Sequence, residues 1–150
     1  MAHDQTHLEL LRELLDTQLL GVLGTHGEGA PYTSLVGFAA TEDLRDLLFA
    51  TSRATRKHAN LVADAHASML IDNRTNRPED FTHAAAVTAV GSVEEVGEDD
   101  VASFDARFLE KLPHLESFVR SPTCARLRLR VSRYLVVTRF QDVVEVDLEA

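Results

Sequence analysis

Three strand-like segments follow one another between residues 20 and 50 with only turns between them, so the chain is not built on an alternating strand–helix–strand plan. Residues 20–25 (LGVLGT) are small and apolar, and His26, Gly27, Glu28 and Gly29 make a glycine-rich hairpin turn. Residues 30–39 (APYTSLVGFA) return, with Pro31 near the start, where a missing N–H is tolerated. The polar run 41–46 turns the chain again into a short strand, Leu47, Leu48, Phe49 and Ala50.

Helical spacing appears before and after this run. Thr6-His7-Leu8-Glu9 has the capping-box pattern, and Leu8, Leu11, Leu15 and Leu19 follow, which predicts a first helix over residues 6–17. A second helix is expected over 54–63, a strand over 67–72 and a polar loop over 73–82. Residues 83–96 carry small and β-branched side chains, with Gly91 as a bulge or bend. Phe104, Phe108 and Leu112 mark an amphipathic helix over 101–112 that Pro113 stops. In residues 125–131, Arg126, Arg128 and Arg130 alternate with Leu127, Leu129 and Val131, a period of two that reads as a strand with one buried face. Strands over 134–140 and 143–148, joined by a turn at Gln141 and Asp142, finish the chain. The expected fold is α+β, mainly antiparallel β, curled into a small barrel with peripheral helices.

Composition narrows the function classes. With 150 residues, 45% of them hydrophobic, and no internal repeat or linker, one domain over residues 1–150 is expected. A net charge of -9 argues against nonspecific nucleic-acid binding, which needs a broad basic surface. Cys124 is the sole cysteine, so there is no intrachain disulfide and no cysteine metal pattern, which fits a reducing compartment. No basic region followed by an apolar run opens the chain, and no apolar stretch is long enough for a bilayer. A soluble, cytoplasmic protein without membrane partners is expected.

Residues 47–62 (LLFATSRATRKHANLV) hold the most suggestive chemistry. Thr51, Ser52 and Thr55 are interleaved with Arg53, Arg56 and Lys57, and no acid occurs from residue 47 to 63 in an otherwise acidic chain. A strand-to-helix turn offers free backbone N–H groups at the positive end of the helix dipole, which favours an anion. Cations in that first turn are unfavourable against the dipole alone, and a bound phosphate would reverse the sign. The residues equally suit a plain surface helix with Thr55 as its N-cap, and no glycine-rich cradle is present. Residue chemistry leaves both readings open.

Other candidates are weaker. His3 and His7 are four apart, a spacing metal ligands use, but they have no acidic or cysteine partner at a diagnostic distance. The arginine alternation reads as a solvated face paired with acids such as Glu94, Glu95 or Glu145 rather than as an anion groove. Asp72, Asn73 and Arg74, at a strand end, read as ordinary turn chemistry. No general acid or base stands out, and there is no nucleophile elbow or dinucleotide loop.

Three pieces in this order resemble the flavin-binding split barrel of the pyridoxamine 5′-phosphate oxidase-like superfamily. They are the hairpin LLGVLGTHGEGAPYTSLVGFA, the segment LLFATSRATRKHANL with its Thr-Arg-Lys unit and following Asn-Leu, and the strand ADAHASMLI, where Ala65 and His66 replace the usual Asn-Pro. The resemblance implies a split β-barrel that binds flavin mononucleotide (FMN). It implies that Thr55, Arg56 and Lys57 hold the phosphate and that Ala50, Thr51 and Ser52 line the flavin. Thr33, Ser34, Leu35 and Val36 would make contacts from the facing strand. It also implies a homodimer with the flavin at the interface. One hypothesis for such a protein is a flavin-dependent oxidoreductase acting on a small molecule with help from a nicotinamide donor, NAD(P)H. The facing strand reads Thr33-Ser34-Leu35 where the pyridoxamine oxidases carry an arginine, and the chain has no tryptophan, so the resemblance does not extend to vitamin B6 oxidation. The Ser-Leu-Val strand is closer to the haem-utilisation branch, although the extra C-terminal domain often found there does not follow. The alternative is therefore a non-catalytic flavin or haem carrier.

Overall fold

Residues 2–139 and 142–148 are described by a computed structural model. Helix α1 (Ala2–Thr17) leads into β1 (Leu20–Gly27) and β2 (Ala30–Gly37), which pair antiparallel from Leu20 opposite Gly37 to Gly27 opposite Ala30. The turn between them is two residues long. Glu28 (φ 53) and Gly29 (φ 77) both take positive φ, the type I′ geometry whose twist suits a hairpin. After Phe38 the same run becomes β3 (Ala39–Ala40), and its partner is β4 (Asp46–Ser52). One extended run thus pairs with β1 at its start and with β4 at its end.

The remaining elements are α2 (Arg56–Ala63), β5 (His66–Asp72), α3 (Asp80–His83), β6 (Ala85–Glu95), α4 (Val101–Lys111), α5 (Glu116–Val119), β7 (Cys124–Thr138) and β8 (Asp142–Asp147). The sheet order is β2-β1-β5-β6-β7-β4-β3, with β8 added to β7, and the pairings are antiparallel. Since β2 and β3 belong to one run, this order curls back on itself into a barrel. The fold is α+β and mainly antiparallel, a split β-barrel with peripheral helices. Among the described residues no helix is long and apolar enough to cross a membrane.

Burial explains why β4 reads as a continuous apolar run rather than an alternating one. Leu47 and Phe49 join the barrel interior with Leu11, Leu15 and Tyr134, while Leu48 and Ala50 lie under α4 with Phe104, Phe108 and Leu112. Both faces of the strand are covered. The rings of Phe104 and Phe108 stack along α4 with centroids 5.3 Å apart, and their burial with Leu48 and Ala50 seats the apolar face of α4 on the outside of the barrel.

Several boundaries differ from the sequence expectation. The first helix begins at Ala2, so Thr6 lies inside it and not at its cap. The polar loop is shorter than expected, because the Asp80 carboxylate accepts bonds from the Thr75 and Asn76 amides and starts α3. The strands expected over 125–131 and 134–140 are one strand, β7. Its only irregularity is an extra residue, Ser132, where pairing shifts from Gly91–Val131 to Val90–Arg133. Before that bulge β7 lies beside β4; after it, beside β8. Phe140, at the end of the expected strand, and Gln141, in the expected turn, lie outside the described residues, and Asp142, expected in that turn, already belongs to β8.

Tyr134 ties this arrangement together. Its ring is wholly buried and its hydroxyl donates to the Leu44 carbonyl at 2.6 Å, where Leu44 takes φ 63 in the β3–β4 turn. Burial pushes the phenol upward, so it remains a protonated donor. Tyr134→Phe strands that carbonyl and is expected to cost about 1–3 kcal/mol, read as a lower urea midpoint at unchanged slope.

Candidate functional site

The turn from β4 into α2 is closed by a network of three side chains. Thr55 is the N-cap of α2, and its hydroxyl accepts from the His58 amide at 3.3 Å. It donates to the Ser52 carbonyl at 3.0 Å and lies 2.9 Å from the Thr51 hydroxyl, which is 1% exposed. The Thr55 hydroxyl is therefore committed to the protein and is not a spare donor. Ser52 Oγ accepts from the Ala54 amide at 3.3 Å, which leaves its own proton available. In the first turn of a helix the leading amides have no partner within the helix, here those of Arg56 and Lys57.

A second clamp seats α2 on the barrel. Asn60, 5% exposed, donates through Nδ2 to Thr25 Oγ1 at 3.1 Å. Its Oδ1 packs so closely on Gly27 that a Cβ there would come well inside 3.0 Å. The Asn-Leu pair after the lysine is thus a packing device: Asn60 grips β1, and Leu61 joins the barrel core.

Beside this turn lies a cleft of about 490 Å³ between β2, β4 and the segment after α4. Of the ten residues expected at a ligand site, Leu35, Val36, Ala50, Thr51, Ser52, Thr55 and Lys57 line it. Three do not. Arg56 turns toward the hairpin, where it pairs with Glu28 at 3.2 Å and sits 6.0 Å above the Tyr32 ring. Thr33 lies further along β2, and Ser34 stands opposite Leu23 on the interior face, its hydroxyl buried without a hydrogen-bond partner. Lys57 makes no ion pair among the described residues and is the cation that faces the cleft.

Leu112, at the end of α4, begins the far wall, and the rest comes from two pieces that the sequence did not signal, a 3₁₀ turn (Pro113–Leu115) with His114 and Leu115, and α5 with Phe118. Both pieces are too short for periodicity to reveal them. Leu19 and Leu20 close the rim. The cleft is mostly aliphatic, with hydroxyls and an ammonium gathered at the α2 end.

The arginine row is elsewhere and is paired. Arg128 and Arg130 reach Glu94 at 2.7 and 3.0 Å, Arg133 reaches Glu145 at 3.6 Å, and Arg53 pairs with Glu95. Arg126 makes a two-pronged bond to Asp105 on α4, at 2.7 and 3.0 Å, which pushes its pKa upward. Arg74 pairs with Asp72 at 3.0 Å, and Asn73 caps the Ala85 amide. No group of three metal-ligating side chains occurs among the described residues, and the His3 side chain lies outside them.

A curled antiparallel sheet that opens into a cleft beside a capped, cation-bearing helix start defines the split-barrel class. The chain belongs to the pyridoxamine 5′-phosphate oxidase family, which matches residues 8–137. No curated protein matches it. Among solved structures, a haem-binding protein from Mycobacterium smegmatis superposes with a TM-score of 0.81 at 22% identity, over 91% of this chain and 55% of its own. This chain therefore spans about half the length of that protein. A Clostridium acetobutylicum protein related to general stress protein 26 of Bacillus subtilis, of the pyridoxinephosphate oxidase family, gives 0.74 at 16% identity over 96% of each chain. A FAD-binding protein from Mesorhizobium loti gives 0.67 at 15% identity, over 83% of this chain and 89% of its own. At these identities the likeness is one of fold.

Proposed function

We propose that this protein is an FMN-binding flavoprotein, an oxidoreductase that acts on a small molecule with NAD(P)H as electron donor. The observation that carries the reading is Lys57, which makes no ion pair among the described residues and stands in an acid-free turn at the hydroxyl-rich end of an otherwise aliphatic cleft. An amphiphilic anion with a flat apolar body suits such a slot, and the family and a FAD-binding relative in fold support a flavin. Bound flavin supplies the electron-carrying ring; the protein supplies position and electrostatics. Lys57 neutralises the phosphate, while the Ser52 hydroxyl and the leading amides of α2 donate to its oxygens. Arg56 acts at a distance from the phosphate, by fastening the hairpin to α2 through Glu28. Leu20, Leu35, Leu115 and Phe118 shield the ring from water.

The working unit in this reading is a cytoplasmic homodimer of single-domain chains with the flavin at the interface. Leu19, Leu20, Leu35 and Phe118 are 51, 57, 67 and 42% exposed around one cleft, an apolar rim that a second copy would cover. Lys57→Ala removes a charge-assisted contact of about 1.5–3 kcal/mol. An FMN titration is therefore expected to show roughly ten- to hundredfold weaker binding, with light scattering on the same samples reporting a dimer. Unchanged affinity in that variant would discard the assignment.

A haem carrier is the second reading. It is favoured by the imidazole of His114 in the aliphatic wall and by the haem-binding relative in fold.

A further inference from the structure

Of the 15 Lys and Arg side chains only Lys57 and Lys111 are lysines. Lys111, in the last turn of α4, lines a second cavity of about 250 Å³ with Leu15 and Asp16 of α1, Ala40 of β3, and Arg107. No residue of this cavity lines the cleft. The Lys111 ammonium donates to the Leu15 carbonyl at 2.8 Å, one of those that the end of α1 leaves without a helical partner. It also sits 3.8 Å from the centre of the Phe38 ring. An arginine could serve both contacts, but it never gives up its proton. Burial lowers the pKa of Lys111 to about 8; Asp16 opposes this shift and Arg107 adds to it. Glu110 is the one other charged group in the lining, since β3 brings only Ala39 and Ala40. A lysine that is desolvated and stands beside another cation holds a neutral, nucleophilic amine near neutral pH. Arg107 uses its Nε on the Ala40 carbonyl at 2.8 Å and makes no ion pair among the described residues.

We propose that Lys111 is a site of covalent modification, an amine that takes the acyl group of a small acyl phosphate while Arg107 holds the phosphate in the same cavity. Arg107 and Lys111 are four apart on α4, so both reach the cavity from one helix face. Guanidinium is the cation best shaped for phosphate oxygens. In the step itself, the lone pair of the neutral amine forms a bond to the acyl carbon. The bond from that carbon to the phosphate oxygen breaks, phosphate leaves with the electron pair, and the amine's proton goes with it. Nothing is oxidised or reduced. The amide that results keeps one N–H for the Leu15 carbonyl, so the end of α1 is still capped, but without a charge.

Acetyl phosphate incubated with the native protein over a pH series, with each lysine followed by mass spectrometry, tests this. Lys57 is a stringent comparator within the same molecule, because it too is placed for a phosphate. Lys111 is expected to be acetylated at least about tenfold faster than Lys57. Its rate should rise with pH and level off above about 8, where the amine is already neutral. Acetic anhydride, which carries no phosphate, separates the roles of the two residues. Arg107→Gln should slow labelling of Lys111 by acetyl phosphate about tenfold more than labelling by the anhydride. In the native chain, added inorganic phosphate should likewise slow only the first reagent at Lys111, a comparison that does not depend on the variant folding. Lys111 reacting no faster than Lys57, or a rate that keeps climbing well past pH 8, overturns the proposal. Equal slowing of both reagents in the variant, or indifference of both to inorganic phosphate, removes the acyl phosphate as the donor and overturns it too. Since the cavity and the cleft share no residue, none of these results bears on the flavin reading.

Discussion

Gly91→Ala is expected to destabilise the protein at or above the top of the roughly 1–3 kcal/mol range typical of overpacking, the largest loss from a single added methyl group. A Cβ at Gly91 would fall well inside 3.0 Å of the Arg130 carbonyl oxygen, with the Arg130 carbon and Val131 Cα close behind. These are backbone atoms, so no rotamer change relieves the clash. Gly91 lies where β6 meets the bulge in β7, and the Ser132 hydroxyl there donates to the Val90 carbonyl at 3.0 Å. Moving β7 aside would disturb its pairing with β4 on one side of the bulge and β8 on the other. For a chain of this size each kcal/mol lowers the melting temperature by about 2–4 °C, so calorimetry resolves the effect easily. Gly97→Ala is the control, since nothing lies within 4 Å of a Cβ there. A Gly91→Ala protein that melts with the control would show that β7 has slack at Ser132.

What the sequence disclosed of this architecture was local. The hairpin glycines mark a turn that needs positive φ, and the Phe104, Phe108, Leu112 spacing marks a face that is indeed buried. Ser132 and Arg133 interrupt the alternation of β7, and a bulge and a turn look the same in one dimension; only the partner strand tells them apart. The same limit applies at the site. Charge and hydroxyl content picked out residues 51–57, but the direction of each side chain depends on residues far away in the chain. Arg56 leaves the cleft because Glu28 is within reach, and the Thr55 hydroxyl is consumed by Thr51 and Ser52. Beyond Leu112 the far wall was invisible, because 113–119 makes two short turns whose apolar residues have no repeat.

Asp105 is the strongest case of a role the sequence concealed, since in α4 it reads as one more acid on an amphipathic helix. It is 7% exposed, accepts two bonds from Arg126 on β7 and one, at 3.4 Å, from Arg120 at the end of α5. Asp105→Ala is expected to cost about 3 kcal/mol, at the low end for breaking a buried pair because the Arg126 side chain keeps 18% exposure. Most of that cost is the guanidinium left without its partner. The double variant Asp105→Leu with Arg126→Met should therefore recover much of the loss, a result that a simple count of lost hydrogen bonds would not produce. The single variant should also affect the cleft. Arg120 loses its bond to α4 and keeps only the 3.5 Å contact to Glu116 within its own segment, so the wall bearing Leu115 and Phe118 is held less firmly. FMN affinity measured on the folded fraction should then fall for Asp105→Ala, and not for Gly91→Ala, whose bulge does not line the cleft. Equal affinities in the two variants would mean that the wall is positioned by Leu112 and Val119 packing alone, with the ion pairs serving stability only.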